Sequence, residues 1–189
     1  MWLEGSATQV VSAGGTGNLP AIQVVKTGGS AQVSGAVTTG SVLVLNGTLD
    51  LAGGTLTVRG FLQVGNPTPT AGTTPRVICA TANGGGTLEV QAPASGAADG
   101  TLYWFSDAAA SVDTGVWRVQ GSVFVNPNEP STRPYTFLLT GSHLLRLTGN
   151  RGTAVQAGSA GIPSGYTTAT LLVQNLEVAK TGTGAGAQV

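Results

Sequence analysis

An all-β fold is predicted for this chain, and three features of the sequence predict it. Apolar residues come in short alternating runs, glycine breaks the runs at close intervals, and no stretch keeps the length or period of a helix. Short strands with glycine corners suit a β-solenoid with Pro-rich loop insertions, and a β-sandwich is the alternative. Residues 1–189 read as a single β-rich repeat unit.

Composition fits that class. Only 8% of residues are charged, 41% are hydrophobic and 30 of 189 are glycine. A disordered chain would carry high charge and few β-branched residues, whereas Val, Thr and Leu abound here. Lys and Arg balance Asp and Glu at 8 each, so neither nucleic acid nor an anionic membrane surface is implied as a partner. A surface so poor in charge offers little self-repulsion, which suits a protein that associates with itself. No apolar stretch reaches membrane-spanning length, and Met1-Trp-Leu-Glu-Gly5 lacks the pattern of a secretion signal.

Taken in order, Ala7–Ser12 and Ala21–Lys26 alternate apolar with polar residues, and Gln32–Val37 resumes the pattern after Gly28-Gly29. Ser41–Leu45 and Thr48–Leu51 flank Asn46-Gly47, whose glycine supplies the positive φ of a sharp corner. Thr55–Arg59 and Phe61–Val64 are separated by Gly60. Alternation places Leu43, Leu45, Leu56 and Val58 inward and Thr57 outward. Arg76–Ala80, Thr87–Gln91 and Thr101–Phe105 follow, the last two opened by Gly-Thr-Leu at Gly86 and Gly100, as at Gly47 and Gly54. Val116–Gln120, Ser122–Asn126, Tyr135–Thr140, His143–Thr148, Thr167–Val173 and Asn175–Lys180 complete the strands. Pro-rich passages at Asn66–Pro75 and Asn126–Pro134 cannot donate to a central ladder and read as projecting loops.

A longer repeat overlies the short one. Lys26 and Lys180 are the only lysines, and each closes a matching strand followed by Thr-Gly: residues 19–33 form the first copy and 173–189 the second. Both copies reach Ala-Gln-Val, at Ala31–Val33 and Ala187–Val189, with a period of about 154 residues. A chain whose last strand repeats an early one is built to be continued.

The run Leu45-Asn-Gly-Thr-Leu-Asp-Leu-Ala-Gly-Gly-Thr-Leu-Thr-Val-Arg-Gly60, with the strand ending in Lys-Thr-Gly, resembles repeat-rich bacterial surface proteins of the filamentous adhesin and autotransporter-passenger type. The resemblance covers residues 5–65 well, 140–189 moderately and the middle poorly. It implies a right-handed parallel β-helix, export to the cell surface or beyond, and a structural or adhesive role. The chain departs from the pattern in showing no translocator barrel and no long Asn ladder.

Residues with chemistry are few. Cys79 reads as a small buried hydrophobe, and a single cysteine makes no disulfide framework. His143 reads as a surface strand residue, because no nucleophile elbow accompanies Ser142-His143. Asp99, Asp107 and Asp113 lack the spacing of a calcium loop and read as solvated acids. Tyr103, Trp104 and Trp117 could form a sugar platform; alternation puts Trp104 on the face opposite Tyr103, which favours core packing instead. Lys26 and Lys180 read as solvated charges that blunt a strand edge rather than as crosslink donors. Asn46-Gly-Thr48 matches a glycosylation triplet but reads as a turn.

The expectation is a non-enzymatic structural subunit, without cofactor or metal, of an extracellular or cell-surface filament or adhesin. Its partner is a second copy, met head-to-tail through Leu19, Ile22 and Val24 on one side and Leu176, Val178 and Val189 on the other. A carbohydrate-binding sandwich that engages surface glycans through Tyr103, Trp104 and Trp117 is the alternative.

Overall fold

The computed structural model describes residues 1–13, 18–67, 72–79, 85–93, 100–106, 114–125, 136–139, 142–150, 153–157, 170–181 and 187–188. Among these residues every regular element is a strand. The largest sheet runs β1 (Trp2–Gly5), β3 (Ile22–Ser34), β5 (Val42–Asp50), β7 (Phe61–Gly65), β10 (Thr101–Phe105), β12 (Val123–Val125), β15 (Thr153–Ala157) and β18 (Ala187–Gln188). A branch of this sheet is formed by β2 (Gln9–Ser12) on β3 and β8 (Arg76–Ile78) on β5. The second sheet runs β17 (Leu176–Val178), β14 (Leu144–Leu147), β11 (Val116–Val119), β9 (Thr87–Gln91), β6 (Thr55–Arg59) and β4 (Ala36–Thr39). A third pairs β13 (Thr136–Leu139) with β16 (Thr170–Val173).

Every ladder among these strands is parallel. Parallel neighbours cannot be joined by a tight hairpin, and from β3 to β7 and again from β8 to β18 the chain alternates between sheets, leaving each and returning to it later. From β12 to β18 it visits the first, third, second, first, third, second and first sheets in turn. The antiparallel hairpins of a sandwich are absent from the described residues, and each sheet is open rather than closed on itself.

Two strands bend, and the bends correct the sequence reading. β3 pairs with β1 over Gln23–Lys26 and with β2 over Ala31–Ser34. β5 pairs with β7 over Val42–Val44 and with β8 over Thr48–Asp50. Asn46-Gly47 is therefore a bend inside one strand, with Gly47 at φ 76°, and the β3–β5 register shifts beside it. The extra residue reverses the alternation: Val42 and Val44 point inward with Leu49 and Leu51, while Leu43 and Leu45 lie half-buried on the outer side. Leu43 and Leu45 were expected inward; counting by twos across a bend gives the wrong face. Leu56 and Val58 are inward as expected.

Register stacks like side chains into columns. Val24, Val44, Val64, Trp104 and Val125 stand in successive strands of the first sheet. Val37, Leu56, Leu88, Trp117 and Leu145 do the same in the second. All three sheets supply one apolar cluster. Trp104, Trp117 and Phe137, one from each sheet, meet inside it with ring centroids 5.1 to 6.4 Å apart.

Truncating an inward column should be costly and truncating an outward one should not. Leu56→Ala is expected to lower unfolding stability by about 2–5 kcal/mol, with Thr57→Ser near neutral. Val44→Ala should likewise exceed Leu43→Ala in chemical denaturation; the reverse order would overturn the register of β5.

Candidate functional site

The candidate site lies at the two ends of the ladders. Among the described residues β1 and β2 at one end each pair only with β3, and β16, β17 and β18 at the other each have one partner, as β8 and β13 do between them. Among the described residues the exposed large hydrophobic ones are Met1, Trp2, Val10, Leu172, Leu176 and Val178. All six lie at the first two strands or on β16 and β17. Leu176 and Val178 continue inward columns, under Leu145 and Leu147, and no further strand among the described residues covers them; Val178 is 52% exposed where Leu147 is fully buried. Trp2 and Val10, 66% and 63% exposed, stand beside Leu3 and Val11 on the outer side of the first strands. Unpaired edges carrying apolar side chains are the composition of an association surface.

The residues expected to make this contact divide. Leu19 is half-buried and bridges Thr39 at the edge of the second sheet, and Leu176 and Val178 are at the opposite end. Ile22 and Val24 are not at an edge: β1 lies over β3, pairing Leu3 with Val24, and both side chains are buried. β1 was not anticipated, because Trp2–Gly5 has a single inward residue and no alternation to read. Val189 lies outside the described residues, as do Asp99, Asp107, Asp113 and Asn126–Pro134.

The lysines are not solvated edge charges. Lys26 is buried, and its Nζ donates to Gln9 Oε1 at 2.9 Å, to the Glu4 carbonyl at 3.1 Å and to the Ala7 carbonyl. Lys180 is half-buried and donates to the Thr148 carbonyl at 2.6 Å and the Gln120 carbonyl at 2.9 Å, with burial lowering its pKa. Each ammonium collects carbonyls where neighbouring strands turn, which a surface reading of Lys-Thr-Gly missed. The two copies of the long repeat occupy different places: Lys26 belongs to β3 of the first sheet, and Lys180 follows β17 of the second.

His143 is likewise inside. It is fully buried, edge-on to Trp117 with centroids 5.5 Å apart, and neither ring nitrogen has a hydrogen-bond partner. The His143 ring therefore shares no hydrogen bond with Ser142 or any other serine among the described residues. Burial lowers its pKa to about 4. The Trp117 indole donates to Cys79 Sγ at 3.3 Å, and burial pushes that thiol up to about 11, so Cys79 is an inert core residue.

The aromatic trio does not form a platform. Trp104 and Trp117 are fully buried, while Tyr103 lies on the outer side, stacked against Phe105 and Phe124 at 6.4 and 5.9 Å. A sugar ring could reach neither tryptophan. Comparison with protein-family models, curated proteins and solved structures finds no match to this chain.

Two outcomes test these placements. Lys26→Met leaves Gln9 Oε1 and two carbonyls without their donor, and should cost about 1–3 kcal/mol with faster amide exchange in β1 and β2. His143 takes its proton first in the unfolded chain, because its pKa is about 4 folded and 6.5 unfolded. Stability should be full above pH 6.5 and fall by about 3 kcal/mol as pH drops toward 4, and His143→Phe should remove that part of the pH dependence in denaturation curves.

Proposed function

We propose that this protein is a structural subunit or repeat of an extracellular bacterial filament or surface adhesin, folded as a β-solenoid and joined head-to-tail through its terminal strands. The observation that carries the reading is that, among the described residues, exposed large hydrophobic side chains lie only at the two ends of the ladders. The solenoid reading is supported by the all-parallel ladders, by the rotation of the chain among three sheets from β12 to β18, and by the meeting of Trp104, Trp117 and Phe137 from all three. The resemblance of the glycine-cornered repeats to bacterial surface proteins supports the location and the right hand of the coil.

Association follows from the edges. The last strands of one copy present β16, β17 and β18, and the first strands of the next present β1, β2 and the Leu19 edge. These surfaces are different, so the contact is heterologous and adds copies along a line instead of closing a dimer. Apolar burial and backbone hydrogen bonds dominate it, which makes it weakly sensitive to salt.

Electron micrographs of the purified protein should show threads. Deleting Leu171 to Val189 should leave a β-rich, soluble monomer. Threads from the truncated chain, or an intact chain that stays monomeric at high concentration in sedimentation, would rule out the end-to-end contact.

A further inference from the structure

Resting on the head-to-tail reading, we propose that His143 makes the tail acid-labile: protonation expels its imidazole from the core and releases the terminal strands that carry Leu176 and Val178. The corner before each strand of the second sheet is a column of residues. Gly35, Gly54, Gly86 and Gly115 occupy it in turn, their carbonyls accepting from Thr55, Thr87, Val116 and Leu144 at 2.8 to 3.0 Å. His143 is the next residue in the column, and Asn175, just before β17, stands opposite Leu144, one residue along from it. Four glycines leave no side chain at the corner; the fifth position sends an imidazole inward against Trp117.

The tail depends on this residue directly. Asn175 Nδ2 donates to the His143 carbonyl at 2.8 Å, and the Leu145 amide donates to the Asn175 carbonyl at 2.9 Å. Movement of His143 therefore pulls on the rung that holds β17 to β14. A charged ring could not stay where it is, because no acceptor lies within hydrogen-bonding reach of either nitrogen. Charged groups on the neighbouring strands are engaged elsewhere. On the outer side of β9, β11, β14 and β17, Glu89 pairs with Arg118 and Glu177 with Arg146. Of the inner groups, Cys79 is held by Trp117, and Asp50 accepts from the Ala52 amide. Lys180, beyond β17, is tied to carbonyls.

The chain has one histidine, so its imidazole can be followed by NMR without assignment. Wild type and His143→Phe would be titrated from pH 7 to 4, with threads counted by electron microscopy and amide exchange, corrected for intrinsic rates, followed in β14 and β17. Expected in wild type are loss of threads and a roughly tenfold or greater loss of protection in β17, in step with imidazole titration. His143→Phe should keep both at pH 4; should it fail to fold, His143→Leu takes its place. Threads and protection lost equally in the variant, or an imidazole that titrates at the free value while β17 stays protected, would overturn the proposal. If wild type forms no threads at pH 7, the head-to-tail reading fails, and exchange in the monomer still decides whether His143 controls the tail.

Discussion

The close approach of backbone to backbone at the corners is the constraint on which the rest of the structure depends. A Cβ on Gly54 would lie 2.8 Å from the Gly35 carbonyl oxygen, and one on Gly115 would lie 2.6 Å from that of Gly86. Real Cβ atoms do not come so near an oxygen, so Gly54 and Gly115 admit only glycine while these rungs keep their length. Those rungs fix the register of each parallel ladder, and register places Val over Val and Leu over Leu. The core is thus a consequence of corners that let successive strands stack about 4.8 Å apart.

Buried polar groups follow the same geometry. Thr39 Oγ1 donates to the Pro20 carbonyl at 2.7 Å, Asp50 Oδ1 accepts from the Ala52 amide at 2.9 Å, and Lys26 binds the turn between β1 and β2. Thr39 and Asp50 end their strands and Lys26 lies at the bend of β3, places where carbonyls or amides would otherwise lack partners. His143 is the exception in this set, at the one described corner of the second sheet where a large inward side chain replaces glycine. A buried imidazole without partners is tolerated only while neutral, which couples the corner to pH.

Much of the strand pattern was legible, because alternation and glycine corners are local signals. Thr55–Arg59, Thr87–Gln91 and Thr101–Phe105 fall at the expected boundaries. What failed depended on the path between strands. Leu43 was assigned to the wrong face because Asn46-Gly47 is a bend that inserts a residue without ending the strand. Lys26 and His143 were read as surface groups because charge and polarity predict exposure on average; here the acceptors for Lys26 come from residues about twenty positions away, and the indole that packs on His143 comes from another strand. The candidate contact was half legible: Leu176 and Val178 lie at an end, but Trp2 and Val10 sit in strands whose pattern is too short to announce which side is free.

The ends also bear on what would specify the proposed association. Along the outer side of the second sheet, Glu89 meets Arg118 at 2.6 Å and Arg146 meets Glu177 at 2.7 Å, so these charges are neutralised within the chain. The Arg146–Glu177 hydrogen bonds raise the pKa of the guanidinium and lower that of the carboxyl, and they engage the last acid beside the open edge. Exposed pairs of this kind add little stability, yet they leave few unpaired charges to steer or repel a second copy. Discrimination must then come from shape and register. A partner has to match several strand edges at once while covering Leu176 and Val178, and a shift of one residue turns its own apolar side chains outward. In a charge-poor protein, the proposed head-to-tail contact would use that geometric demand to favour another copy of the same chain over an arbitrary apolar surface.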